Sequence, residues 1–275
     1  MKKVAIVIIL LLIACATFSQ SYLESGNAKF EAGDYDGAIE DYWKASEEEP
    51  LNPKVWHNYA LAEFRLGHYG IAISNFTYAL ELDPIDAMSW YHRGLSYVKS
   101  DEGDEDLAIA DFSKAYEIDP SLLNALYQLA HLYARMEEYN SAIAAITKYI
   151  DEGGEHLPDD YLADAYYVRA FVNNRLDNYQ ATTLEDLEKA AGLGKRDKFV
   201  IYEVGAWYEL KGEWAQAIEA YTKVIEKDEE YMSAWRHRGL CKKFFQDKVG
   251  GCEDLHKAAA LGSKDATYDI KEYCE

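Results

Sequence analysis

The chain is 275 residues long and carries 28 Lys and Arg against 49 Asp and Glu, a formal net charge of −21. A phosphate backbone selects for a basic face, so nucleic acid is excluded as a partner of so acidic a surface, and an anionic bilayer surface is disfavoured for the same reason. The chain is 49% hydrophobic and 14% aromatic, with 23 Tyr, and those apolar anchors are what disordered acidic chains lack.

The first element is a leader. Lys2 and Lys3 precede an unbroken apolar run of 11 residues from Val4 to Ala14, too short for a membrane-spanning helix, which needs ~20. The pattern is that of a signal peptide over residues 1–19. Ala14-Cys15-Ala16 and Thr17-Phe18-Ser19 each offer a cleavage point. Leu12-Ile13-Ala14-Cys15 also resembles a bacterial lipobox, in which Cys15 is lipidated and becomes the new N-terminus. Cleavage near Ser19 and lipidation of Cys15 both stay open, beside a buried first helix. From Gln20 onward 26 basic residues face 49 acidic ones, a formal −23. No later apolar run approaches spanning length, so no transmembrane helix is expected in the mature chain.

A repeat follows. Gly33-Asp34-Tyr35 is succeeded by Ala38, Tyr42, Ala45 and Pro50; Gly67-His68-Tyr69 by Ala72, Phe76, Ala79 and Pro84; then come Ala108, Phe112, Ala115 and Pro120. Ala142, Thr183, Ala217 and Gly251 continue the small-residue series, whose steps are 34, 36, 34, 41, 34 and 34 residues. Upstream of each lies a second stripe, headed by Tyr22, Trp56, Trp90, Leu126, Tyr166, Ile201 and Trp235. Its small residues include Gly26, Ala60, Gly94, Ala130, Ala170, Gly205 and Gly239. Large and small residues at i, i+3 and i+4 make one buried helix stripe, and small residues let paired helices approach. Pro50, Pro84 and Pro120 fall where they end a helix without breaking it.

This pattern resembles the tetratricopeptide repeat family over nearly all of the chain after the leader. The resemblance implies an all-α fold, a right-handed α-solenoid of about seven helix pairs plus a capping helix. The pairs fall at 20–52, 53–86, 87–122, 123–156, 163–197, 198–231 and 232–263, with a cap from Lys264 to Tyr273 whose Asp265, Asp269, Lys271 and Glu272 form a wet face against Ala266 and Ile270. Residues 20–156 and 157–263 are two blocks of pairs, separated by the break at 151–160, which reads as a longer loop or a hinge. The acidic run at 100–106 lacks the ligand spacing of a calcium loop and reads as a solvated turn.

Catalytic chemistry is not evident. The histidines at 57, 68, 92, 131, 156, 237 and 256 show no zinc-helix spacing, and there is neither a phosphate loop nor a nucleophile elbow. No cofactor, metal or enzyme activity is expected. Asn75-Phe76-Thr77 matches a glycosylation sequon inside a predicted helix and is read as chance. Cys241, Cys252 and Cys274 have spacings that do not suit zinc. Either Cys252 joins Cys274, tying the last pair to the cap, or all three are buried thiols. The final stretch from Cys252 and the terminal Tyr273-Cys274 look like the endings of exported bacterial repeat proteins.

The family resemblance implies that the first helix of each pair lines a concave groove. Tyr91, Tyr127, Tyr167 and Tyr202 form a ladder there, with Asn58 and His92 beside it. Arg65, Lys99, Arg135 and Arg175 form a cationic column near the helix ends. Tyrosine gives contact area with a polar tip, and arginine gives forked donors for carboxylates; packing and the helix dipole are the plainer reading of both columns. A chaperone-type carboxylate clamp is broken: Asn27 and Asn58 match its asparagines, but Leu23, Met88 and His92 stand where its cations belong. The expected function is a non-catalytic scaffold or adaptor, exported to a bacterial envelope, that holds a protein or peptide in this groove. The alternatives are a lipid-anchored outer-membrane assembly factor and a glycan-binding accessory protein.

Overall fold

The computed structural model describes residues 21–101, 103–176, 181–194 and 197–275. The leader, with Cys15, lies outside them. Fifteen α-helices occur among the described residues. They are α1 (Tyr22–Glu31), α2 (Tyr35–Glu48), α3 (Pro53–Arg65), α4 (Tyr69–Leu82), α5 (Ala87–Lys99), α6 (Glu105–Ile118), α7 (Asn124–Arg135), α8 (Tyr139–Gly153), α9 (Asp159–Arg175), α10 (Ala181–Gly192), α11 (Lys198–Leu210), α12 (Trp214–Lys227), α13 (Met232–Phe244), α14 (Lys248–Ala260) and α15 (Lys264–Tyr273). The chain forms two compact units, one ending at Ala125 and one running from Leu126 to Glu275. The break at 151–160 lies inside the second unit, where the end of α8, a 3-10 turn at Gly154–His156 and the start of α9 take it up.

Within each unit the helices pair as the small residues dictate. A methyl group on Gly26 would sit 2.6 Å from the Tyr42 ring, one on Gly94 2.9 Å from Phe112, and one on Gly205 2.8 Å from Tyr221. The glycine of the first helix is therefore the seat for the aromatic of the second. Tyr42, Phe76, Phe112, Tyr149 and Tyr221 are almost wholly buried. The core runs as local clusters, such as Ala60–Ala72–Phe76 in the first unit and Ala217–Tyr221–Val224–Cys241 in the second. The first lies within one pair, whereas the second is completed by Ala234 and Cys241 of the next pair, the nearest-neighbour contact of a repeat stack.

Part of the acidic excess serves helix starts. Asp34, Asp86, Asp104, Asp197 and Asp247 each accept a backbone N–H in the first turn of the helix that follows. A carboxylate there satisfies an orphan donor and opposes the helix dipole. Several turns inside the pairs take a left-handed residue. Gly33 and Gly67 provide it at φ of 82° and 84°, whereas Glu137 and Gln246 adopt it at 61° and 68° without being glycine.

The cap differs from its sequence reading at one residue. Asp269 is not on a wet face: it is 5% exposed and receives Arg236 Nε at 2.6 Å. A carboxylate so placed is stable because α13 brings it a paired guanidinium. Ala266 and Ile270 pack against Leu255 and Ala258, and Cys252 is bonded to Cys274, so α14 and the end of α15 are tied. Cys241 is a buried free thiol, and burial drives its pKa well above the usual range.

Candidate ligand-binding face

The first helices of the pairs are α1, α3 and α5 in the first unit and α7, α9, α11 and α13 in the second. Polar side chains link neighbours along this row. Asn58 donates to Asn27 at 2.8 Å, and Asn27 also accepts from the Tyr42 hydroxyl. The amides that match half of a carboxylate clamp are thus committed to each other. Between α3 and α5, His57 Nδ1 lies 2.7 Å from Ser89 Oγ, and Ser89 donates to Asp86 at 2.5 Å. Burial would raise the Asp86 carboxyl, but the hydrogen bonds from His57 and Ser89 outweigh it and hold it at about 2. Histidine, serine and aspartate in contact invite a catalytic reading. The geometry opposes it, because Ser89 is wholly buried and its proton is directed to the weakly basic Asp86 carboxylate rather than to the imidazole.

His92 stacks on Phe76 at 5.9 Å, and its Nδ1 faces the Met88 carbonyl at 2.9 Å. Burial drives its imidazole down to about 4, against the pull of that carbonyl, and His57 adds to the effect. In the second unit the Tyr127 hydroxyl donates to Asp164 of α9, Asn174 donates to Glu203 of α11 at 3.2 Å, and His237 of α13 meets Glu209 at 2.9 Å.

The tyrosines serve this packing. Tyr91 lies 5.6 Å from Phe112, Tyr127 5.5 Å from Tyr149, and Tyr202 5.4 Å from Tyr221. Each leans on the buried aromatic of its own pair, and all of them, with Tyr167, are half-buried. Burial raises the phenol pKa of Tyr127, Tyr167 and Tyr202. The rings are therefore not a bare ladder. The more open surface lies one turn further along the same helices. Arg65 sits beside the Phe30 ring at 5.8 Å, and Lys99 is exposed at the end of α5. In the second unit His131, Arg135, Phe171, Arg175, Leu210 and Phe244 are all exposed. Arg175 lies over Phe171 at 5.1 Å, and its charge also acts on the half-buried Glu203. Phe171 and Phe244 share the helix phase of the cations and are more exposed than the tyrosines of the ladder.

The opposite side of the pairs carries a recurring device that the repeat pattern did not announce. Arg93 grips Asp111, Arg169 grips Asp186 and Arg238 grips Asp254, each through two hydrogen bonds of 2.7–2.9 Å. In each case a third contact of 3.0–3.4 Å reaches Thr77, Thr147 or Thr222 of the preceding pair. Each guanidinium also lies over the ring that heads its helix, Trp90, Tyr166 or Trp235. The heading tryptophans are fixed in turn: Trp56, Trp90 and Trp235 donate to the carbonyls of Pro50, Pro84 and Glu229.

Among the described residues no group of three or more His, Cys, Asp and Glu is placed to hold a metal, and no helix is long and apolar enough to cross a membrane. Tetratricopeptide repeat models match residues 23–70 and 57–122, then 123–152, then 200–230. No curated protein matches. Among solved structures, the chain is similar to the C-terminal part of a tetratricopeptide repeat-containing protein from Cytophaga hutchinsonii, at 18% identity and a TM-score of 0.71 over 90% of this chain and 98% of that one. It is also similar to YrrB, a tetratricopeptide repeat protein with an unusual peptide-binding site, at 23% identity and a TM-score of 0.63 over 72% and 97% of the two chains. A third similarity is to MamA, at 25% identity and a TM-score of 0.56 over 66% and 94%.

Proposed function

Because the chain belongs to the tetratricopeptide repeat family, we propose that it is a non-catalytic scaffold that holds a polypeptide partner against the first helices of its pairs, at a bacterial cell envelope. The observation that carries this reading is the exposed Phe171 with Arg175 over its ring. An aromatic anchor beside a forked cation suits an apolar side chain next to a carboxylate. Arg135 and His131 extend the same exposed face on α7. This face is cationic and aromatic in a chain of formal charge −21, so the partner segment is apolar with acidic groups.

Placement at the envelope rests on the leader sequence. Mass spectrometry of the mature N-terminus decides its form: a peptide beginning at Gln20 means plain cleavage, and a diacylated Cys15 means a lipid anchor. A glycan ligand is less well supported, because the tyrosine rings that would stack sugars lean on Phe112, Tyr149 and Tyr221.

The binding test uses exposed positions, since Tyr127 also supports the fold. Phe171→Ala with Arg175→Glu is expected to abolish crosslinking to the native partner while the helical circular dichroism is unchanged. Undiminished crosslinking by that variant would move the partner to another surface.

A further inference from the structure

From the third pair onward the arginine clasp recurs in alternate pairs; in the first, Ser25 stands at the arginine position and donates to Asp41. Its three positions are occupied by Thr77, Arg93 and Asp111, by Thr147, Arg169 and Asp186, and by Thr222, Arg238 and Asp254. In the pair built from α11 and α12, the same three positions hold Glu188, Val204 and Ala220. Here the arginine is missing, its carboxylate is missing, and a carboxylate stands where the hydroxyl was. All three residues line an open groove of about 790 Å³ over α11, between α10 and α12, with Ile201 on its floor. The corresponding place in the first unit has Trp43 and Tyr59 at two of the positions and a groove of about 350 Å³. The grooves are thus clasps from which the guanidinium has been left out.

The larger groove has a stated chemistry. Of the charged residues lining it, Lys223 is held by Glu219 at 2.6 Å, and Glu188 accepts from the Tyr208 hydroxyl on the same wall. A carboxylate keeps acceptor capacity beyond one phenol, so Glu188 and Glu226 face Lys227 as the acidic side of the groove. Its floor is aliphatic. The fold itself shows three times what enters such a place between two second helices: an arginine whose stem lies on apolar surface and whose head meets a carboxylate.

We propose that this groove takes an arginine of a partner polypeptide, carried on a short apolar segment, with the guanidinium on Glu188 and the neighbouring apolar side chains on Ile201, Val204 and Ala220. The groove is lined by α10, α12 and the Ile201–Val204 stripe of α11 and contains none of Arg135, Phe171 or Arg175, so the two readings stand or fall separately.

The test uses the full chain and three fluorescent twelve-residue leucine-rich peptides carrying arginine, citrulline or glutamate at the same places. Citrulline keeps the shape of arginine and removes its charge. The arginine peptide is expected to bind at least tenfold tighter than the citrulline peptide. Val204→Arg, Ala220→Asp and Glu188→Thr together rebuild the intramolecular clasp and fill the groove. That variant is expected to lose at least tenfold in affinity with its helical content intact. Glu188→Gln alone is expected to lose about fivefold for the arginine peptide and nothing for the citrulline peptide, which keeps the test open should the triple variant fold poorly. Glu47→Gln, in the first unit, controls for general attraction to an acidic protein, and Phe171→Ala with Arg175→Glu should leave this binding unchanged. Equal binding of the arginine and citrulline peptides, preference for the glutamate peptide, loss matched by Glu47→Gln, or a concentration-dependent dimer that the rebuilt clasp abolishes would each overturn the proposal.

Discussion

Arg93 and Asp111 meet through two parallel hydrogen bonds of 2.8 Å, from Nε to Oδ2 and from Nη2 to Oδ1. The arginine side chain is 14% exposed and the aspartate 4%, so water screens the pair little. Each partner therefore depends on the other. Arg93→Ala strands a buried carboxylate, and breaking a buried pair in this way costs about 3–5 kcal/mol. Replacing both with leucine removes the desolvated charges together and should recover most of that loss. Urea unfolding of the single and double variants checks this. A double variant as unstable as Arg93→Ala alone would mean that the pair contributes net stability beyond its own compensation.

Packing of the repeat predicts opposite signs at two backbone positions. A methyl group at Gly94 falls 2.9 Å from the Phe112 ring, and that ring has nowhere to go in a full core. Gly94→Ala should destabilise by about 1–3 kcal/mol, an overpacking cost. Gln246 holds a φ of 68° in a turn where Gly33 and Gly67 sit at 82° and 84°. Gln246→Gly relieves a left-handed residue and should raise stability by about 1 kcal/mol. Thermal midpoints of the two variants should move in opposite directions.

The repeat itself was open to reading because close packing leaves a strict trace: Gly26, Gly94 and Gly205 must be small, and Tyr42, Phe112 and Tyr221 must be large, at constant spacing. The side chains at the face were harder. Tyr91, Tyr127 and Tyr202 share a helix phase with solvent-facing positions, but their reach is long enough to lean back on the core. Helical phase gives the direction of a Cβ, not the end of a tyrosine. The clasp escaped for a different reason. Its arginines recur at steps of 76 and 69 residues, at positions 93, 169 and 238, so a search at one-repeat spacing dilutes them with Tyr59, Leu129 and Val204. Asp269 reads as solvent-facing because a lone cap helix shows only its own pattern, and its partner Arg236 lies 33 positions earlier.

The bond between Cys252 and Cys274 closes a loop of 22 residues, and a loop of that size limits the unfolded chain by roughly 3 kcal/mol. Its removal should act locally, because the described contacts of α15 are with α14 and, through Arg236, with α13. Cys274→Ser is expected to raise amide exchange across Lys264–Tyr273 first, with the Arg236–Asp269 pair and the contacts of Ala266 and Ile270 slowing complete release. Uniform loss of protection across the second unit would show that the bond stabilises the whole unit and not its end.

His92 gives the chain a pH dependence whose sign is fixed by its surroundings. Burial holds the folded imidazole at about 4, below the usual 6.5, while His57 and Arg65 oppose its charging and the Met88 carbonyl and Asp86 favour it. Between those two values the unfolded chain binds the proton and the folded chain does not. Stability from this residue is therefore complete above pH ~6.5 and falls as the pH drops toward 4. Asp86 acts lower: its folded value of about 2 lies below its usual 3.8, so its contribution is present above pH ~3.9 and is lost as the pH falls through 2. His92→Phe keeps a ring over Phe76 and removes the titrating group. Its urea midpoint should stay flatter than that of the wild type between pH 6.5 and 4, and the two curves should run parallel again below 4. Parallel curves throughout would place the proton uptake on another histidine.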